Sequence, residues 1–261
     1  GMTIIILTAE FDIAVGAVLA LTACVAALLM PEIGVLPAVG VSLLIGPLFG
    51  LFHGIIVTKG RIPSFITTLG TMMIARGLSF AITGGRAVAD IPDRFKILGQ
   101  GTIKGFPIIF FVVIVVYTVG YVMLKMTPFG KKIYAVGADR ESAVLSGINA
   151  DRVKIIAFVM VGFSASLSSI MLLSRMGAVR YNTATGMEFD VIAAVVIGGT
   201  SLAGGSGNIL QTVIGVFIIG MIRNGLNLAH ISIQWYSFTT GAIIIIAVLL
   251  DALRRRMNAN H

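Results

Sequence analysis

The chain has 261 residues, 57% of them hydrophobic and only 11% charged, with a mean hydropathy of +1.02. A soluble domain carries about 25% charged residues, so this balance excludes a soluble enzyme or binding module and places residues 1–261 in a bilayer as one integral membrane domain. The net charge of +8 then reads as basic loops that set topology, not as a nucleic-acid surface.

The chain opens on GMTIIILT, with an apolar run from its fourth residue and without the charged n-region of a signal peptide. Ile4 to Leu7 look like the tail of a span, with Gly1 and Met2 marking a cloning remnant, a miscalled start or a cut inside a helix. The first full span is expected at residues 12–30 and holds Cys24, the single cysteine, as a packing residue. The second, 36–57, is expected to kink at Pro47, which removes a backbone donor. Gly46, Gly50 and Gly54 recur every four residues along it, giving a face without side chains on which another helix can pack closely.

The third span, 64–82, contains Arg76, the one charge well inside a span in this reading. Burying it costs at least about 2.5 kcal/mol, so it must face protein or water. A structural hydrogen bond is favoured over contact with a hydroxylated substrate. A polar loop at 84–105 leads to a span at 106–126.

A polar segment then interrupts the apolar pattern at 129–154, FGKKIYAVGADRESAVLSGINADRVK. It reads as a cytoplasmic loop carrying a short helix. Asp139 and Glu141 open that helix and suit its positive end, while Leu145 and Ile148 supply apolar contact. Such a helix is what an external motor would grip, and the chain needs one. Gly130-Lys131-Lys132 lacks the spacing of a phosphate-binding loop, so no ATP is hydrolysed here and no catalytic residue is assigned.

After a span at 153–173 comes a short apolar stretch at 189–198. About ten residues reach only about half of the hydrocarbon core. It is followed by GGTSLAGGSGN, 198–208, and the pair reads as a broken helix near the midplane, with a short tilted helix and a surface loop as the plainer alternative. Spans at 209–226 and 236–253 and a cytoplasmic tail at 254–261 complete the chain. Asn224 and Asn227 near the outer end of the penultimate span bridge helices or bond the hydroxyls of a polar solute. Arg76, Asn224, Asn227, Gly198, Gly199 and Thr200 are the candidate lining of a translocation path. No metal site is expected, because neither His53 nor His230 has a carboxylate or second histidine at ligand spacing.

With the 129–154 loop inside, strict alternation puts eleven basic residues inside, Arg254, Arg255 and Arg256 among them, against six outside. That satisfies the positive-inside rule and leaves the C-terminus cytoplasmic. Glu10-Phe11-Asp12-Ile13 also resembles Glu188-Phe189-Asp190-Val191 on the opposite side, as an inverted repeat would give.

Several runs carry a family resemblance: ILTAEFDIAVG (6–16), TKGRIPSFITTLGTM (58–72), YAVGADRESAVLSGINADRVK (134–154), FDVIAAVVIGGTSLAGGSG (189–207) and NGLNL (224–228). The chain resembles the permease subunits of bacterial ABC importers, in the ribose and simple-sugar branch. The resemblance implies an all-α, polytopic bundle of the type II importer kind, here with about eight spans including the short broken one. It implies a bacterial inner-membrane homodimer driven by a pair of ABC ATPases that use the ATP, and fed by a periplasmic sugar-binding protein. It makes Ala138, Asp139, Arg140, Glu141, Ala143, Leu145, Ser146, Gly147 and Ile148 the coupling helix that enters the ATPase.

Two departures stand out. The family pattern has glycines where this chain has Ala9 and Glu10, and it has another helix and a half before Gly1, so a longer reading frame is expected upstream. Three other readings are weighed. The same architecture could import nucleosides or another small polar solute. A secondary transporter would have to use Glu10, Asp12, Glu188 or Asp190. An intramembrane protease would use Ser206 in GGSG, but His230 falls on the opposite face.

Overall fold

The computed structural model describes residues 1–231, 235–236, 238–246 and 249. The order of elements is α1 (Met2–Leu7), α2 (Val15–Ile33), α3 (Val35–Thr58), α4 (Ser64–Thr83), α5 (Asp93–Gln100), β1 (Thr102–Ile103), β2 (Phe106–Pro107), α6 (Ile108–Met126), α7 (Pro128–Ala138), α8 (Arg140–Leu145), α9 (Ala150–Met176), α10 (Met187–Ile197) and α11 (Ile209–Leu228). Six of these helices, α2, α3, α4, α6, α9 and α11, are long and apolar enough to cross a membrane. The expected count of about eight is not reached among the described residues. α10 is a half-length helix, and the expected last span at 236–253 lies partly, with the tail 254–261 wholly, outside the described residues.

Local chemistry fixes where the helices begin and end. Asp12 Oδ1 accepts the Ala14 N–H at 2.8 Å just before α2. Gly34, at φ +86°, ends α2 and starts α3, reversing the chain in a single residue that only glycine adopts freely. α2 carries Pro31 in its last turn, a proline the sequence reading passed over. α3 runs as one helix through Pro47. There the Gly46 N–H donates to Ser166 Oγ of α9 at 2.8 Å.

The core forms where α2 and α3 pack on α9, with α4 laid against α2. The glycine face of α3 packs on α9, as its spacing predicts: Gly46 lies against the Gly162 carbonyl and Gly50 against the Phe158 carbonyl, and a Cβ added at Gly54 would stand 2.8 Å from Ile155 Cα. α4 buries Thr68, Thr71 and Ser79, whose hydroxyls donate to the carbonyls of Ser64, Thr67 and Ala75 at 2.8, 3.0 and 2.7 Å. These three buried hydroxyls are thereby satisfied within their own helix. Most of α6 stays exposed, including Phe110, Ile114, Val115 and Val119. An apolar face of that extent does not suit water and matches hydrocarbon.

The bundle has two chemically different ends. One carries α5, the β1–β2 hairpin and a bridge between Val88 and Val179. The region read as a featureless polar loop thus holds a helix and a hairpin. The other end carries α7, α8, the 59–63 turn and the break after α1.

Candidate functional site

The polar segment folds as two helices, not one. Thr127 Oγ1 accepts the Gly130 N–H at 3.2 Å and starts α7, with Pro128 at the first helical position. α7 ends at Asp139, whose Oδ1 accepts the Ser142 N–H at 2.7 Å and starts α8. That hydrogen bond holds the Asp139 carboxyl below the usual carboxylate range. Gly147 at φ +81° turns the chain after α8, and Asn149 Oδ1 accepts the Arg152 N–H at 3.0 Å to open α9.

α8 is braced from behind. Arg140 donates to Asp151 Oδ1 at 3.1 Å, and Lys59 donates to Asp151 Oδ2 at 3.2 Å. Its outer face offers Val144, 51% exposed, and Leu145, 88% exposed. Ala138, Asp139, Arg140, Glu141, Ser146 and Gly147 are also exposed, and Ala143 is buried. Ile148, expected beside Leu145 on the contact face, turns inward and packs on the core. The Ile148 N–H donates to the Ala143 carbonyl at 3.0 Å, and this folds the residue back under α8.

The backbone at 198–208 lies against α7 and α1. The Gly205 N–H donates to the Leu7 carbonyl at 3.0 Å, and Tyr134 Oη donates to the Gly207 carbonyl at 3.0 Å. A Cβ at Gly205 would stand 2.5 Å from Ala138 Cα. The break is therefore a contact between the half-length helix α10 and the segment that leads into α8. Gly198 ends α10 and is buried, Gly199 is exposed at φ +81°, and Thr200 is buried.

Arg76 donates to the Tyr181 and Thr183 carbonyls at 3.0 and 2.7 Å. It pins the 180–186 loop onto α4, in the structural role its position suggests. Asn224 and Asn227 are exposed on α11. Arg76 is not the one intramembrane charge: Arg223 of α11 forms an ion pair with Asp190 of α10, and Thr240 Oγ1 donates to Asp190 Oδ1 at 3.1 Å. Pairing the charges of neighbouring apolar segments would have found it.

A second buried polar group also escaped the sequence reading. Asp12 Oδ2 lies 3.1 Å from His53 Nδ1, and His53 Nε2 lies 2.7 Å from Thr71 Oγ1. These three residues join the start of α2 to α3 and α4 amid the rings of Phe49, Phe52 and Phe158. His53→Asn keeps one amide group facing the line and gives up the second bond. Its expected cost is about 1 to 2 kcal/mol, read as a lower melting temperature in detergent; an unchanged melting temperature contradicts the bonded line.

Residues 1–248 match the family described as branched-chain amino acid transport system / permease component. The ribose import permease protein of Haemophilus influenzae is 40% identical over 256 residues, covering 96% of this chain and 79% of that protein. The ribose import permease of Bacillus subtilis is 39% identical over 254 residues, covering 96% and 79%. The L-arabinose ABC transporter permease protein of Azospirillum brasilense is 34% identical over 255 residues, covering 97% and 75%. The autoinducer 2 import system permease protein of Photorhabdus laumondii is 32% identical over 257 residues, covering 98% and 77%. No solved structure matches the chain significantly.

Proposed function

This chain belongs to the branched-chain amino acid transport system / permease component family, and on that premise we propose that it passes a monosaccharide across a bacterial inner membrane as the permease subunit of an ABC importer. It is a transport subunit and not an enzyme; hydrolysis of ATP belongs to a separate subunit. The identity to ribose import permeases along nearly the whole chain carries the choice of a sugar. A pentose is favoured, because an arabinose permease is also among its relatives. The autoinducer 2 relative supports a second reading, in which the cargo is another small polyhydroxylated solute.

α8 is the part that meets the ATPase. Its apolar tip, Val144 and Leu145, is exposed in a segment otherwise polar and braced by ion pairs. A side chain as apolar as Leu145 gains free energy by entering a partner's cleft, at about 25 cal/mol per Å² of apolar surface covered. In this reading the α8 end and the C-terminus are cytoplasmic, a binding protein delivers the solute at the α5 end, and two copies of the chain enclose the path. The exposed faces of α3, α4, α6 and α11 supply surface for both the second copy and lipid.

Competition for uptake tests the cargo. With the cognate ATPase and binding protein in proteoliposomes, labelled ribose should accumulate, and unlabelled arabinose should compete better than a nucleoside. Uptake of a labelled nucleoside in place of either pentose would contradict the sugar reading.

A further inference from the structure

The α8 end holds a cavity of about 360 Å³ that none of the roles above uses. Four separate segments meet in it: Glu10 after α1, Arg61 in the turn between α3 and α4, Arg140 at the start of α8, and Asp151 and Lys154 on α9. Both carboxylates are already engaged. Lys154 donates to Glu10, and Asp151 accepts from Arg140 and Lys59. Among the described residues Arg61 has no ion pair or hydrogen bond, and it is exposed. Counting Lys59, four cations stand around two carboxylates.

Two features of the backbone add to that excess. Arg61 sits at φ +53°, a region a non-glycine residue occupies at a cost. The turn thus holds a large cation beside the cavity despite that cost. α4 begins two residues after Ile62 without a capping side chain, so its first N–H groups raise the positive potential beside Pro63, which lines the cavity.

We propose that this cavity binds a phosphate group, carried by the diester of an anionic membrane lipid or by the monoester of a soluble sugar phosphate. Arg61 and Arg140 offer planar guanidinium groups that match phosphate oxygens, and Lys154 adds a compact charge. An occupied site ties the 59–63 turn to the first residue of α8 and to the break after α1. Occupancy therefore sets how firmly α8 is held on the bundle. The claim concerns binding and stands whatever sugar the permease carries.

The test is thermal denaturation of the purified chain in a neutral detergent. Phosphatidylglycerol, phosphatidylcholine, a pentose phosphate and the free pentose are titrated separately. Phosphatidylglycerol or the pentose phosphate should raise the melting temperature; phosphatidylcholine and the free pentose should not. Arg61→Gly should raise the half-saturating concentration about tenfold. Glycine accepts φ +53°, so this loss is not a loss of the turn. Arg61→Lys keeps the charge but not the planar fork and should fall between the parent and Arg61→Gly, and Lys131→Gln, which removes an exposed cation outside the cavity, should change nothing. A response to the lipid alone identifies a headgroup, and a response to the pentose phosphate alone identifies a soluble ligand. No response to either, or an equal loss in Arg61→Gly and Lys131→Gln, overturns the proposal.

Discussion

Gly50→Leu should abolish the folded bundle. A Cβ at this position falls on the Phe158 carbonyl oxygen, with the Phe158 carbonyl carbon at 2.7 Å and Val159 Cα at 2.8 Å. Every one of those atoms is backbone, so no rotamer change relieves the clash. Overpacking that side chains can absorb costs about 1–3 kcal/mol. Here α3 and α9 must separate. Separation also breaks the Gly46 N–H bond to Ser166 Oγ and the approach of Gly46 to Gly162. In lipid, such close backbone packing is a main source of helix association. The control is Gly70→Leu on α4, where an added Cβ meets nothing within 4 Å. Size-exclusion chromatography in detergent should show a folded Gly70→Leu and an aggregated Gly50→Leu. A Gly50→Leu chain as monodisperse as the parent would mean that this glycine face is not the seam of the core.

The second large effect belongs to function and spares the fold. Leu145→Asp should insert and fold normally, because Leu145 is exposed and touches no core cluster. With α8 docked on the ATPase as proposed, uptake should fall about tenfold or more, because a carboxylate in place of the apolar tip loses that contact and is buried without a partner at a cost of a few kcal/mol. The expected signature is split: normal melting, lost binding to the ATPase and lost uptake. Ile148 faces the other way, so Ile148→Asp should instead lower the melting temperature by introducing a charge against the core. Equal behaviour of the two variants would contradict the orientation of α8.

These two positions also show what the sequence makes legible. The stripe at Gly46, Gly50 and Gly54 could be read because its period is that of one helix face, and the structure packs that face. Asp139 could be read as a helix start because a carboxylate three residues before Ser142 reaches its N–H within one turn. The α5 helix was partly legible too: Asp93 in its first turn suits a helix start, overlooked inside a region read as loop. What stayed hidden depends on contacts between segments remote in sequence. Asp12 meets His53 41 residues away, and Glu10 meets Lys154 144 residues away. No local spacing encodes either pair. Ile148 was misplaced because helix periodicity was extended past Gly147, where positive φ ends α8 and turns the next side chain inward.

On the proposed function, a separate ATPase grips α8 and drives import. The most direct test is uptake of labelled pentose by proteoliposomes holding the chain and its ATPase, with the binding protein added outside. ATP enclosed in the vesicles should drive accumulation. A proton or sodium gradient without ATP should drive none, and Leu145→Asp should abolish the ATP-driven signal while ATP hydrolysis by the ATPase alone continues. Accumulation powered by an ion gradient in the absence of ATP, or undiminished ATP-driven uptake by Leu145→Asp, would contradict the account.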